Sequence, residues 1–333
     1  MICLGIESTA HTFGVSIVRG EDKKVLANII TAFKTEDGSG GMIPAKVAEH
    51  HVEACDSALR SAFEKAGIKP DQVDLIAFSQ GPGIGHCLRI GAAVARSLSL
   101  LLDKPLIGVN HCIAHLEIGR FLTESKDPVL LYASGANTQV IAYEAGKYRV
   151  FGETLDLGIG NFLDSFGRAL GLGFPAGPKI EALAKEGKKY IKLPYSVKGM
   201  DISLGGIETN LREKIKKLDS GEYTKEDLCF SVQETTFAML VEVAERAMAH
   251  TDKKELLLGG GVACNKRLQE MCRIMCEERG AKSFVLENQY FVDNAAMIAI
   301  AGLEMFKAGM ETKVEEAAIR PYERTDDVSV RWR

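Results

Sequence analysis

Apolar and polar positions follow one order along the first third of the chain. Ile2–Glu7 is a short apolar run and Phe13–Arg19 an alternating one, joined by the polar Ser8–Thr12; Lys24–Phe33 makes a third run of strand character. Beyond the glycine-rich Gly38–Gly41, amphipathic helical spacing runs from about Pro44 to Ala66. Leu75–Ser79 predicts a buried strand, Cys87–Leu102 an apolar helix, Pro105–Val109 a strand and His111–Leu122 a helix. The order is three strands, helix, strand, helix, strand, helix.

The pattern then restarts. Val129–Ser134, Gln139–Glu144 and Tyr148–Leu155 form a second three-strand meander, with a polar turn at Gly135–Thr138. Helices are expected at about Phe162–Leu170, Pro178–Lys185 and Phe230–His250, with a basic irregular stretch over Lys188–Asp201. Glu255–Leu258 and Ser283–Leu286 read as strands, Asn265–Arg279 and Ala295–Lys307 as helices. The chain thus predicts two similar α/β halves. The first covers 1–127, joined by the segment 308–325. The second covers 128–307 with a helical insertion over about 160–250, and 325–333 is a tail that reads as a natural end or a junction to a fused partner. In such a duplicated fold the site lies between the halves, at the carboxyl ends of strands.

Composition narrows the class. An apolar content of 46% excludes a disordered chain, and a net charge of −4 excludes a polycationic nucleic-acid coat. The most apolar stretch, Ala92–Leu102, is too short for a membrane span and holds Arg96. The first residues lack a basic region and meet a carboxylate at Glu7, unlike a signal peptide. Eight scattered cysteines without a CxxC pair suit a reducing cytoplasm.

Four loops suit phosphate or nucleotide. Glu7–Thr12 and Ser134–Thr138 occupy matching turns of the two meanders, where small residues let backbone N–H groups approach an anion. Gly259–Asn265, with Gly260 and Gly261 inside it, stands between a strand and a helix, and its Asn265 side chain is expected to report on ribose or base. Gly81–Gly85 is the fourth. His111 and His115, one helical turn apart, can ligate one ion or serve as core histidines; the Glu of a zincin His-Glu-x-x-His is missing. Asp293 reads as a helix N-cap or a ligand, and Tyr132 as a core aromatic with a polar tip. The segment Lys179–Lys217 carries ten Lys or Arg against five acidic residues, either a solvated insert or a track for nucleic-acid phosphates.

Taken together, Gly5–Thr12, Ala48–His51, Ser79–Gly91, Val109–Glu117, Leu131–Val140, Gly152–Asp156, Leu170–Pro175, Gly259–Asn265 and Asp293–Ala299 closely resemble the universal tRNA threonylcarbamoyladenosine synthases. These are the catalytic subunits of the archaeal and eukaryotic KEOPS complex, and the resemblance covers essentially the whole chain. It implies a duplicated actin-like, Hsp70-like and sugar-kinase-like ATPase fold of two RNase H-like halves. It further implies transfer of threonylcarbamoyl from threonylcarbamoyl-adenylate to the exocyclic amine of the adenosine 3′ of the anticodon in ANN-decoding tRNAs, releasing AMP.

The family's metal ligands fall on His111, His115, Tyr132 and Asp293, for a divalent transition ion, iron ahead of zinc, with magnesium accompanying the nucleotide. Contacts to the adenylate fall on Tyr132, Ala133, Ser134, Gly135, Ala136, Asn137, Thr138, Asp164, Gly177, Glu181, Gly260, Gly261 and Asn265, while Glu7, Thr9 and His11 line the first turn. Catalytic roles are assigned to His11, as proton acceptor, and to Glu7. The implied partners are tRNA, a small protein-kinase-like ATPase and a small dimer-forming subunit, in the cytoplasm and without a membrane. Ala136, Ala176 and Ala295 replace usual glycines, Ser203–Ile207 departs from a usual Phe-Ser-Gly-Leu, and His86 replaces a usual Pro. Rival readings are a kinase or ATP hydrolase of the same fold, a metalloendopeptidase, and a non-catalytic scaffold.

Overall fold

The computed structural model describes residues 1–34 and 42–333; the expected Gly38–Gly41 turn lies outside the described residues. Strands β1 (Ile2–Glu7), β2 (Thr12–Arg19) and β3 (Lys24–Ala32) form an antiparallel meander. Helix α1 (Pro44–Ala66) then crosses to β4 (Leu75–Gly81), which runs parallel to β1; α2 (Gly85–Leu102) leads to β5 (Leu106–Asn110), and α3 (His111–Leu122) follows at once. The sheet order is β3-β2-β1-β4-β5.

The second half repeats this frame. Strands β6 (Val129–Ala133), β7 (Thr138–Glu144) and β8 (Lys147–Glu153) form the meander. Next come α4 (Ile159–Ala169), α5 (Gly177–Ala184), the short hairpin β9 (Val197–Lys198) and β10 (Asp201–Ile202), and α6 (Gly205–Ile215). Helix α7 (Lys225–Thr251), β11 (Glu255–Gly259), α8 (Lys266–Glu278), β12 (Lys282–Phe284), α9 (Asn288–Phe291) and α10 (Ala295–Lys307) complete it. The order β12-β11-β6-β7-β8 matches the first sheet strand for strand, with β6, β11 and β12 parallel.

Two expectations change. The long helix expected inside the insertion is α7, and it packs on β6, β7 and α8 as α1 packs on β2, β3 and α2. A parallel strand pair needs a crossover, and α7 supplies it for the second half. The inserted material is therefore α4 through α6. Helix α7 also starts at Lys225 rather than Phe230, because Thr224 Oγ1 accepts the Asp227 N–H at 3.1 Å and acidic residues fill the first turn. Helix α6 was not expected from sequence. Second, α10, counted with the second half, covers the first sheet: Ala296–Ala301, Leu303 and Met305 share one apolar cluster with Cys3, Val18, Leu75, Ala77, Ile107 and Val109. Its all-round apolar sequence needs burial on every side, and the first sheet with α3 provides most of it.

After α10 the chain returns along the first half. The N–H of Thr312 donates to Leu106 O at 2.8 Å, that of Arg320 to Gln80 O at 2.7 Å, and that of Gly83 to Pro321 O at 3.1 Å. The last residues then pack beside α3, with Trp332 Nε1 donating to Glu117 Oε1 at 2.9 Å.

Candidate functional site

Strand β5 ends at Asn110, whose side chain accepts the N–H groups of Cys112 and Ile113 at 3.1 and 3.2 Å. This cap starts α3 without a linker, so His111 emerges at the carboxyl end of the strand and His115 lies one turn on, on the same face. The second half supplies Tyr132 from β6. Asp293 comes from the turn before α10, where Asn294, not Asp293, is the N-cap: its Oδ1 accepts the Met297 N–H at 3.2 Å. The Asp293 carboxylate is thereby left free to face the histidines.

These four side chains converge. His111 Nε2 lies 3.2 Å from Tyr132 OH and 3.4 Å from Asp293 Oδ1, and His115 Nε2 lies 3.5 Å from the same oxygen. Donor atoms of His111, His115 and Asp293 all fall within 4.8 Å of one another. The His115 ring is buried, yet neither nitrogen has a hydrogen-bond partner. A buried imidazole without a partner is costly, and a cation would satisfy it. Burial opposes charge on His111, but Glu7, Tyr132 and Asp293 outweigh it and raise its imidazolium well above the usual range. Burial lowers His115. Burial likewise disfavours charge on Asp293, but the two imidazoles hold its carboxyl well below normal. The cluster favours a positive charge at its centre.

Glu7 stands behind it. It is fully buried; its Oε1 accepts the Thr9 N–H at 2.7 Å and the Thr9 hydroxyl, and its Oε2 meets His111 Nδ1 at 3.1 Å. With both oxygens engaged and no exposed surface, Glu7 orients His111 and has no free oxygen for substrate. That geometry replaces the catalytic role assigned to it from sequence. A carboxylate on the rear nitrogen of a ligating histidine is the usual support of a metal site. His11, in the same turn, is partly exposed and lies toward Asp164 of α4, whose carboxyl burial pushes up.

The second turn is built differently. Ser134 Oγ donates to Asn137 O at 2.9 Å and Thr138 Oγ1 accepts the Ile159 N–H at 2.8 Å, so both hydroxyls brace the turn. Gly135 and Ala136 are exposed, and among the described residues no backbone partner takes their N–H groups. The turn is held against Gly158, where an added Cβ would come 2.4 Å from the Gly135 and Ala136 carbonyl oxygens. Gly260, at φ +87°, presses on it from the other side, its Cβ position 2.3 Å from Ala133 O. Ala136, Ala176 and Ala295 do not adopt positive φ, so their methyl groups carry no backbone strain.

Asp164, Gly177, Glu181 and Asn265 share one wall of the second half. Asp164 Oδ1 accepts the Ala176 N–H at 2.8 Å, and Glu181 Oε1 accepts the Lys266 N–H at 3.0 Å. Asn265 caps α8 with its Oδ1 through the Arg267 and Leu268 N–H groups, and its Nδ2 donates to Gln233. Its side chain thus ties the loop of Gly260 and Gly261 to α7 and α8, and one Nδ2 hydrogen is left over. The capping roles of Asn110 and Asn294 were missed from sequence; an Asn just ahead of a predicted helix was the available signal.

Comparison with known proteins agrees with this arrangement. A family model described as tRNA N6-adenosine threonylcarbamoyltransferase matches residues 24–300. A protein of that name from Thermococcus kodakarensis is 55% identical over 332 residues, covering 100% of both chains. One from Xenopus laevis is 50% identical over 335 residues, covering 100% of this chain and 99% of its own. A Methanosarcina mazei protein named for bifunctional tRNA threonylcarbamoyladenosine biosynthesis is 52% identical, over 99% of this chain and 59% of its own. Among solved structures, Thermococcus kodakarensis HypF superposes with a TM-score of 0.62 at 15% identity, over 92% of this chain and 48% of that one. Component A of an Acidaminococcus fermentans dehydratase gives 0.56 at 16% identity, over 91% and 97%. These two share the fold alone, a duplicated actin-like one.

Proposed function

Because the chain belongs to the tRNA N6-adenosine threonylcarbamoyltransferase family, we propose that its cleft moves the threonylcarbamoyl group from threonylcarbamoyl-adenylate to N6 of the adenosine 3′ of the anticodon in ANN-decoding tRNAs. The amine nitrogen bonds to the carbamoyl carbon, the bond from that carbon to the adenylate phosphate oxygen breaks, and AMP leaves. An aromatic amine is a weak nucleophile, so placement and charge stabilisation carry the reaction.

His111, His115, Tyr132 and Asp293 would hold a divalent transition ion, iron ahead of zinc, whose chemistry is Lewis-acid polarisation of a carbonyl. The partnerless His115 ring and the mixed nitrogen and oxygen donors fit such an ion. The N–H groups of Gly135 and Ala136 receive the donor phosphate. Asp164 and Glu181 each keep one carboxylate oxygen free of the bonds described above, and these accept ribose hydroxyls. His11 stands across from Asp164 and takes the amine proton. AMP is a good leaving group, so no acid is needed at the phosphate; magnesium accompanies the nucleotide.

Among the described residues no helix is long and apolar enough to cross a membrane, and all eight cysteines are free thiols; we place the enzyme in the cytoplasm. It works with a small kinase-like ATPase and a small dimer-forming subunit. The observation that carries the reading is the convergence of two histidines from one half with Tyr132 and Asp293 from the other, beside an exposed turn with unused N–H groups. Its test is a single-turnover reaction of unmodified tRNA with threonylcarbamoyl-adenylate, with and without those subunits, read by nucleoside mass. Threonylcarbamoyladenosine that forms with the wild type and vanishes with His111→Ala is the expected result; no product under any condition overturns the reading.

A further inference from the structure

Residues 187–199 follow α5 and form no regular element before β9, yet they are fastened along α7. The N–H groups of Lys188 and Lys189 donate to Asp227 Oδ1 at 2.8 and 2.9 Å, and that of Ile191 to Ser231 Oγ at 2.7 Å. Ile191 and Leu193 are buried, while Tyr190, Lys192 and Pro194 face solvent. This is the alternation of an extended chain, here without a partner strand. Tyr190 OH and Thr235 Oγ1 share a hydrogen bond of 2.9 Å, the Tyr195 hydroxyl donates to the Glu242 carboxylate, and Arg246 donates to the Gly199 carbonyl. The tyrosine hydroxyls are thus tied down while their rings stay 52% and 51% exposed. Among the described residues, Tyr322 is the one other Phe, Tyr or Trp left exposed.

The charge of this segment is one-signed. It holds Lys188, Lys189, Lys192 and Lys198 and no acidic residue, in a chain of net charge −4. Lys216 and Lys217 farther along are paired with Glu213 and Glu222, whereas the ammonium group of none of these four makes a salt bridge among the described residues, Asp227 being engaged by the Lys188 and Lys189 backbone. Rigid aromatic faces interleaved with unpaired cations on an extended backbone are the means by which proteins hold unpaired nucleotides.

The geometry points to residues 187–199 as a strap for unpaired nucleotides of an RNA, with the Tyr190 and Tyr195 rings stacking on bases and the four lysines meeting phosphates. Five residues of extended chain separate the rings by at most about 17 Å, room for more than one nucleotide. The inference rests on the reading of tRNA as substrate. The strap starts soon after Glu181, which is bonded to the Lys266 N–H in the wall of the cleft. A protein partner is the weaker fit, since the four lysine ammonium groups make no salt bridge among the described residues and Lys192 stands exposed between the rings.

The test is equilibrium binding of unmodified tRNA to the full chain across a salt series, together with steady-state transfer. Tyr190→Ala with Tyr195→Ala should weaken tRNA binding by roughly ten- to a hundredfold at an unchanged salt slope. The double Phe variant, which keeps both rings, should retain most of the affinity and so controls for folding. Lys188→Ala, Lys189→Ala and Lys192→Ala together should lower the salt slope by about 2. In steady state KM for tRNA rises while kcat and donor affinity hold. Wild-type affinity and slope in the Ala variants would overturn the strap, whether or not the same substitutions release a protein partner. Failure of the wild type to transfer would instead overturn the transferase reading, and a tRNA affinity that the variants still lower would leave the strap standing.

Discussion

The two halves place the same structural unit, the turn between the first two strands of a meander, on opposite sides of one cleft and use it in different ways. In the first half, the Glu7–Thr12 turn is largely buried, and its carboxylate spends both oxygens on Thr9 and His111. In the second, the Ser134–Thr138 turn spends its hydroxyls on itself and on α4 and leaves Gly135 and Ala136 open. In the proposed site, one turn supports a histidine of the metal cluster and the other offers backbone donors to the adenylate. The two positions are equivalent in the repeated frame, and they differ in that the first holds a buried charge.

Breaking the cluster that the first turn supports should cost most. His115→Ala or Asp293→Ala is expected to lower single-turnover transfer by on the order of 10^2–10^3-fold and to strip bound transition metal, measured by elemental analysis; full metal content with full activity would separate the cluster from the chemistry. Chelation of the wild type should mimic these variants. Next in size is Glu7→Gln, which keeps the shape but removes the charge behind His111. Metal affinity should fall by roughly 10–100-fold, with donor binding unchanged.

The second turn should answer in the opposite way. Gly158→Ala pushes on the Gly135 and Ala136 carbonyls, so the donor KM should rise, by about tenfold if one backbone contact of about 1.4 kcal/mol is lost, while metal content stays intact. Ala136→Gly, which relieves no strain, should change KM little. Were Gly158→Ala to release metal, or Glu7→Gln to weaken the donor, the division between the turns would fail.

Smaller effects concern stability. Trp332→Phe removes the indole donor to the buried Glu117 and should cost about 1–2 kcal/mol in denaturant unfolding, without changing kcat. The first half also carries a buried acid sensitivity. His51 faces the core of α1 and sits against Phe13, and burial, with His50 beside it, lowers its pKa from 6.5 to about 4. Below pH 6.5 the unfolded chain takes up a proton that the folded ring refuses, so stability is full above about 6.5 and declines as pH falls toward 4. His51→Leu should flatten that decline; an unchanged pH profile would place the acid sensitivity elsewhere.

Much of this was legible in the sequence. The helix bounds Pro44–Ala66, His111–Leu122 and Ala295–Lys307 agree with the expected ones because Pro starts, apolar spacing and polar stops are local signals. The two meanders were legible for the same reason. The placement of α7 was not: in sequence it is one more helix after α4 and α5, and only pairing of β11 with β6 shows that it is the crossover. The Asp293 and Asn294 pair was ambiguous between cap and ligand, since either side chain can cap a helix, and one backbone geometry decides which does. The capping role of Asn265 was hidden for the same reason, since a polar side chain in a glycine loop can serve its own helix end.

What the sequence determined by itself is the run of elements, their repetition, and the inventory of glycines, hydroxyls, histidines and carboxylates placed at the carboxyl ends of strands. These follow from interactions between near neighbours in the chain. What only the tertiary structure decided is which of those groups remain available. Glu7 became a support when Thr9 and His111 closed on it, His115 kept an unsatisfied ring because the two halves met around it, and Tyr190 and Tyr195 were fixed face-outward by α7. A hydrogen bond made to one partner is withheld from another, and which partner arrives is set by packing between segments far apart in the chain.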